Sequence, residues 1–410
     1  MGIFKVYLKT FDYDGSYETE FTDVSRDVLK LSDIRESLDS TEYNLGIFKL
    51  NKLKLSLRND HGRFTPPPNY KSFFKTKMKD TQVKITWNIR PEPLCVGINF
   101  PPGHFGPLGE EIELFRGLLT ETSSKGDVEN QSIDFDILGF ESLLSQVAVP
   151  YDDITNGDDI SDVMYSILNQ TTITDLLTVS LSNITPGLDQ AIDDKSDLEN
   201  KTGREAFGSG ESLLLLSQSV LTIQNQTIYI SDRDPTASVQ YSFYGPSSNL
   251  GGENIIQIKD YREGLNQLFN FWTWSDTTLV SQDDSSITSY GVYKKEVGSD
   301  LLTNSTKRQN ILDDLKTEFS SPKKSMILVA PLTSDTAGLK LLDRVNIDYP
   351  NIYRPADDGI LPVWGSVKWG SFKWPIGQFS FAITQATEFK ILDRKIKTTN
   401  ETIEFTLREV

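Results

Sequence analysis

KDTQVKITW (79–87), ELFRGLLTE (113–121) and QSIDFDILGFE (131–141) return in worn form near the end of the chain, as LLDRVNIDY (341–349), EFKILDRKIKT (388–398) and ETIEFTLREV (401–410). In each set a first strand is followed by a charged strand carrying an Arg. An alternating strand of the Ile-acid-Phe type then closes the set. The match is one of pattern, with few identities. Two such units on either side of a dissimilar middle predict an internally duplicated β architecture, and a repeat constrains a fold more than any short motif does.

Working outward from the early set, residues 1–148 read as β throughout. FKVYLKT (4–10) alternates. KLNKLKLSLRN (49–59) puts Leu53, Leu55 and Leu57 on one face, with Lys52, Lys54, Ser56 and Arg58 on the other. Ile133, Phe135 and Ile137 share a face in the same way. NDHGRF (59–64) supplies turn residues that tolerate a left-handed backbone, and TPPPNY (65–70) cannot be helical. Residues 90–112 are dense in Pro and Gly and read as a long loop, a kind of segment that often meets a partner.

The middle, about 150–235, changes character. ISDVMYSILNQ (160–170) and ITDLLTVSL (173–181) have helical spacing, with Asp162 as the expected cap of the first. DQAIDDKSDLENKTG (189–203) reads as an exposed helix or loop. Residues 203–234 read as a helix running into a hairpin, with SVLTIQ and TIYISDR joined at Asn225-Gln226. From 236 onward strands are expected again at 238–245, 253–261, 286–297 and 324–332, with short helices at 266–274 and 307–319. The expected organisation is therefore 1–148, a first β-barrel domain; 149–235, a central α/β portion; and 236–410, a second β-barrel domain with peripheral helices.

The 410 residues are enough for two to four cores. No apolar run approaches the roughly 18 residues of a membrane span; SLLLLS (212–217) is the longest. The N-terminus reads as a first strand and not as a secretory signal, and Val6 breaks the myristoylation pattern. Cys95 stands alone, so no intrachain disulfide framework is possible. A net charge of −17 argues against gripping a nucleic-acid backbone, which requires clustered Lys and Arg. It suits solubility, or a wall past which a polyanion slides without sticking.

Catalytic patterns are scarce. The two histidines, His61 in a turn and His104 in a Pro/Gly loop, sit in no triad-like context, and there is no G-x-S-x-G elbow. Dispersed Cys and His cannot make a zinc site. YDDITNGDDISD (151–162) fails as a calcium loop, since counting from Asp152 the third position is Ile154 and the twelfth is Val163 where Glu is needed. GSGES (208–212) lacks the Lys of a phosphate loop. The triplets at Asn169, Asn225 and Asn400 are background. No cofactor or metal is expected, and with 58 acidic residues no glycosidase carboxylate pair can be singled out. LPVWGSVKWGSFKWP (361–375) holds a five-residue tandem with Trp364, Trp369 and Trp374, rings suited to core packing, to a subunit interface or to stacking on a sugar.

KLKLSLRNDHGRFTP (52–66), followed by DTQVKIT, ELFRGLLTE and SIDFDILGFESLL, resembles the hub proteins at the distal end of tailed-phage tails and of related contractile injection machines. Residues 203–234 look like that family's central helix and hairpin, and the late set looks like its closing barrel. The resemblance covers most of the chain through structural motifs, none of which carries chemistry. It implies a mainly β fold with a central α+β portion and two related tail-tube-like β-barrel domains. It further implies a non-enzymatic virion protein at the tail tip or baseplate, made in the host cytoplasm and assembled as a homotrimer. The implied partners are the tail tube or distal tail ring and a tip, spike or fibre protein, with DNA passing through the lumen and no membrane span. The rival readings are a carbohydrate- or receptor-binding tail-tip protein using the three Trp, and a glycan hydrolase.

Overall fold

In the computed structural model the described residues are all but 1–2, 39–49, 66–71, 89–110, 121–124, 128–130, 209–211, 234–236, 246–247, 249, 354–379 and 384–386. The alternating segments form strands because each offers one apolar row to a core. Leu53, Leu55 and Leu57 are fully buried along Lys52–Arg58, and Ile133, Phe135 and Ile137 along Ser132–Gly139. Burial of each such side chain is worth roughly 1.5–3 kcal/mol.

Two eight-stranded sheets dominate a mainly β fold with α+β parts. The amino sheet takes its first strand from Ile3–Lys9. Its neighbours in space are Gln82–Asn88, Glu111–Leu119, Ser132–Gly139, Lys52–Arg58 and Val28–Leu31. The carboxy sheet runs Val239–Tyr244, Arg344–Tyr353, Glu388–Lys397, Thr402–Glu409, Lys323–Pro331 and Gln257–Gly264. With the peripheral strands set aside (Thr22–Asp23 and Lys125–Asp127 in the amino sheet, Ser380–Ile383 and Ile34–Ser37 in the carboxy sheet), the six strands of each, ranked by position in the chain, both read 1-4-5-6-3-2. The early and late sequence sets occupy ranks four, five and six in their respective sheets. One pairing departs from the copy: ranks one and four are antiparallel in the amino sheet and parallel in the carboxy sheet.

Two insertions make the α+β part. Residues 140–232 carry Ile160–Leu168, Gly203–Gly208 and Leu213–Leu216 as helices, followed by the hairpin Ser219–Gln224 and Thr227–Asp232. The hairpin turns at Asn225 and Gln226, both with left-handed backbone (φ 48° and 61°), as a two-residue turn requires. Residues 265–322 interrupt the carboxy sheet between ranks two and three. They bring a three-stranded sheet centred on Phe271–Trp274, and the helix Ser305–Phe319 capped by Asn304. A single apolar core joins the facing rows of both large sheets, and a second joins 140–230 to 269–319.

Several local expectations give way. Asp159, not Asp162, precedes the helix at Ile160, and no side chain caps it. Of ITDLLTVSL only 173–174 are helical, at the end of Thr171–Thr174. Residues 286–290, expected as strand, belong to the helix Asp284–Tyr290. Asp283 accepts hydrogen bonds from the Ser285 and Ser286 amides, and Gly291 ends the helix at φ 87°. Residues 271–274 are strand instead of helix, since alternation buries Trp272 and Trp274 together.

Candidate functional site

The two sheets are fastened by a short strap. After rank two of the amino sheet the chain leaves that sheet, and Ile34–Ser37 pairs antiparallel with Glu388–Lys397 of the carboxy sheet. Ile34 and Ser37 are buried, and the charged Arg35 and Glu36 lie between them. Arg35 donates to Asp393 through Nε at 2.8 Å and Nη2 at 2.5 Å. Glu36 pairs with Arg394 at 2.7 Å, and Arg394 also donates to the Ala337 and Leu339 carbonyls at 2.9 and 2.7 Å. Asp393 and Arg394 are almost wholly buried, so each charge depends on its partner.

Beside the strap lies a cleft of about 470 Å³. The strap, the outer ends of amino-sheet strands, the hairpin tip and the loop at 337–341 form its walls. Glu141 lines it, just past Gly139 where the last amino-sheet strand turns into the first insertion. A Cβ on Gly139 would lie 2.0 Å from Glu141 Oε2, so the approach needs glycine there. Asn51 donates to Glu141 Oε1 at 2.9 Å, while Oε2 is shielded from water and has no hydrogen-bond partner. Burial, helped by the nearby Glu36 carboxylate, pushes the Glu141 carboxyl up to about 7. Across the cleft Glu111 accepts from Tyr7 and Thr86. Its burial acts to raise it, and these hydrogen bonds bring it below the ordinary range.

The carboxy sheet carries a second charged centre. Glu318, in the last turn of Ser305–Phe319, meets Arg233 at 2.5 Å, Arg408 at 2.8 Å and Lys390 at 3.4 Å. A carboxylate at a helix C-terminus is unfavourable by itself, and three cations reverse that. Burial works to raise Glu318, yet Arg233, Lys390 and Arg408 hold it well below the usual carboxylate range. Arg233 and Arg408 also lie over the Phe319 ring, 5.4 and 4.6 Å from its centre. This centre ties the second insertion to the sheet beneath it.

Trp364, Trp369 and Trp374, like Cys95 and His104, lie outside the described residues. His61 falls in the short turn Asp60–Gly62. The acidic loop at 151–162 closes on itself, with Asp158 accepting from the Thr155 amide and hydroxyl. Among the described residues no group of three or more His, Cys, Asp or Glu is placed to hold a metal ion. No described helix is long and apolar enough to cross a membrane. Neither Glu141 nor Glu318 was singled out from sequence. A strand such as 388–397, buried on both faces despite its charges, is the one signal that something covers it.

No protein-family model matches the sequence, and a search of curated proteins finds no match. Among solved structures, the chain is similar to the tail protein from Neisseria meningitidis MC58. Identity is 10% and the TM-score 0.53, over 99% of this chain and 96% of that one. It is likewise similar to the 43 kDa tail protein of prophage MuSo2 from Shewanella oneidensis, at 10% identity and TM-score 0.52, over 98% of this chain and 97% of that one. The likeness is one of fold, and it runs nearly end to end in both cases.

Proposed function

We propose that the chain is a structural protein of a phage tail that forms, as a homotrimer, the hub between a hexameric tail tube and a trimeric tip. The observation that carries this reading is the shared 1-4-5-6-3-2 strand order of the two large sheets. With two like sheets per chain, three chains offer six like surfaces, which is what a threefold object needs to seat a sixfold ring. The fold shared with two tail proteins supports the setting. On this reading 1–148 and 236–410 are the two tube-type units and 149–235 lies between them, with 265–322 an excursion from the second.

Edges support the same reading. Among the described residues Val28–Leu31 and Gln257–Gly264 each have one paired side only. Leu29 and Ile256 are exposed beside them. Closing a ring through such edges removes sites of uncontrolled pairing. The net charge of −17 suits a channel that DNA passes without binding. The protein acts by shape and assembly, not by catalysis, as part of the virion at the tail tip or baseplate.

Native mass measured over a range of concentrations, with negative-stain images of the same sample, tests this. A threefold ring with an open centre and near-sixfold inner features is expected, alone or after adding tail-tube rings. A monomer that stays monomeric with tube rings present would overturn it.

A further inference from the structure

We propose that the cleft beside the strap is a slot for one extended peptide segment of a partner protein, held as an added strand between two unpaired strand edges. The first edge belongs to the amino sheet. Glu111–Leu119 is paired from 111 to 118 by Gln82–Asn88, but Ser132–Gly139 meets it only at 117–119. Leu119 donates to the Thr81 carbonyl and accepts from the Asp80 amide on the first side, and Thr120 donates to the Asp136 carbonyl on the second. Alternation then turns the Arg116 amide and carbonyl toward the second side, where rank six would continue. Rank six leaves the sheet at Gly139, and Phe140 and Glu141 line the cleft instead. Among the described residues no backbone hydrogen bond completes 111–116 on this side.

The second edge belongs to the hairpin. Arg233 donates to the Gln218 carbonyl, so the even-numbered residues of Ser219–Gln224 bond Thr227–Asp232. Leu221 and Ile223 therefore turn their backbone groups outward. Residues 221–226 line the cleft as a continuous run, as 111–116 do on the other wall. Two such edges are completed by an extended chain, which carries donors and acceptors on both its sides.

The carboxy sheet has a gap of the same kind and fills it with a strand. Its rank-five strand, Glu388–Lys397, is paired from 389 to 397 by rank six, but only at 388–390 by rank four. The rest of that edge is closed by the strap, an extended segment from a distant part of the chain. Every described strand already belongs to a sheet, so the segment for the amino-sheet slot comes from another protein. Charge does not select it. Glu36 pairs with Arg394, Glu113 with Arg116, Lys5 and Lys84 act on Glu111, and Lys340 donates to Gln224. The guest is recognised by its backbone, with Ile112, Leu221, Ile223 and Leu341 offering apolar contact to alternate side chains. A neutral, β-prone segment fits this chemistry, and the cleft's 470 Å³ takes roughly three of its residues.

Titration of the full-length protein with the blocked peptide Thr-Val-Thr-Val-Lys, and with the same peptide N-methylated at both valines, tests the slot. Methylation removes the donors of one edge, so a strand held between two edges loses one ladder whichever way it lies. Saturable binding in the range of about 0.1–1 mM is expected, at least about tenfold weaker for the methylated peptide. Hydrogen exchange at the Arg116, Leu221 and Ile223 amides should slow when the unmethylated peptide is added. Ile223→Pro removes one outward donor and leaves the pairing of 222 and 224, so it should weaken that peptide about fivefold with the native mass unchanged. Equal binding of the two peptides, or binding that leaves those three amides unprotected, would overturn the assignment. No saturation up to about 5 mM would do the same. Amides protected before any peptide is added would mean that the chain itself or a second copy fills the slot, which also overturns it. None of these outcomes bears on ring formation, which the native mass reads independently.

Discussion

The two large sheets share a strand order and differ in what lies on their outer faces. On the amino sheet Lys84 sits 4.6 Å from the Tyr7 ring and 5.0 Å from that of Phe21, and Arg116 lies 5.2 Å from Phe21. There Arg116 finds its counter-charge on its own strand, in Glu113, and the pair keeps partial contact with water. On the carboxy sheet the 265–322 insertion lies over the corresponding face. Lys390 and Arg408 are almost wholly buried there, and the counter-charge comes from the insertion itself, through Glu318. The rank-five strand thus carries a cation in both sheets, Arg116 and Lys390, in two electrostatic regimes. In one, a cation meets one carboxylate of its own strand in partial contact with water; in the other, a single glutamate holds three cations in a dry interface.

The comparison breaks most visibly at that glutamate. Glu318→Gln leaves Arg233, Lys390 and Arg408 buried without a full counter-charge and should cost about 3–5 kcal/mol of stability by urea unfolding. Glu113→Gln on the amino sheet should cost no more than about 1 kcal/mol. Similar losses at both would mean that the two faces do not differ in the way described. The pH dependence follows from the depressed carboxyl: its stabilisation is fully present above the ordinary value of 4.5 and is lost as pH falls through the lower folded value. Acid unfolding of the carboxy half should lose that component in Glu318→Gln.

Where the sheets are alike, like changes should cost the same. Leu55 and Leu328 are fully buried on the third strand of their respective sheets. Leu55→Ala and Leu328→Ala should each cost about 3 kcal/mol by urea unfolding. A large disparity would show that one side of the shared core is much better able to collapse than the other.

Among the described residues the strap has no counterpart on the amino sheet, and it sharpens the contrast at a smaller scale. Arg394→Met keeps the stem volume but strands the Ala337 and Leu339 carbonyls and the Glu36 carboxylate. A loss of about 1–3 kcal/mol is expected. Hydrogen exchange at 34–37 should quicken more than exchange at 52–58; uniform quickening would argue against a local fastening.

Much of this fold was legible residue by residue. Alternation placed Leu53, Leu55 and Leu57 inward, the Asn225-Gln226 pair marked a hairpin, and 307–319 had helical spacing. The early and late sets pointed to two like sheets, and they occupy the same ranks in both. What sequence did not show was long-range. Ser37 pairs opposite Asp393, and nothing local in either segment encodes a register across that separation. The helix at 284–290 was hidden because Ile, Thr and Tyr favour strands, while the Asp283 cap and Gly291 decided the outcome. The charged centres were equally silent: Glu318 and its three cations come from four separate segments, and Glu141 reads simply as the end of a strand. Expectations for Trp364, Trp369 and Trp374 fall outside the described residues.

The last contrast is one of pH and concerns Glu141, which belongs to neither regime: it is buried like Glu318, and its hydrogen bond comes from the neutral Asn51. Its carboxyl is raised to about 7, so the folded chain binds a proton there that the unfolded chain releases near 4.5. Between those values the folded state holds more protons, and stability from this group falls as pH rises from about 4.5 to about 7. Above 7 the cost is complete. Glu141→Gln keeps the acceptor for Asn51 and removes the ionisation. It should therefore be nearly neutral at pH 4 and stabilising at pH 8, by about 3 kcal/mol. Thermal midpoints of the two proteins across that range check this. A constant offset at every pH would mean that the variant acts through packing, and that the carboxyl does not titrate near 7.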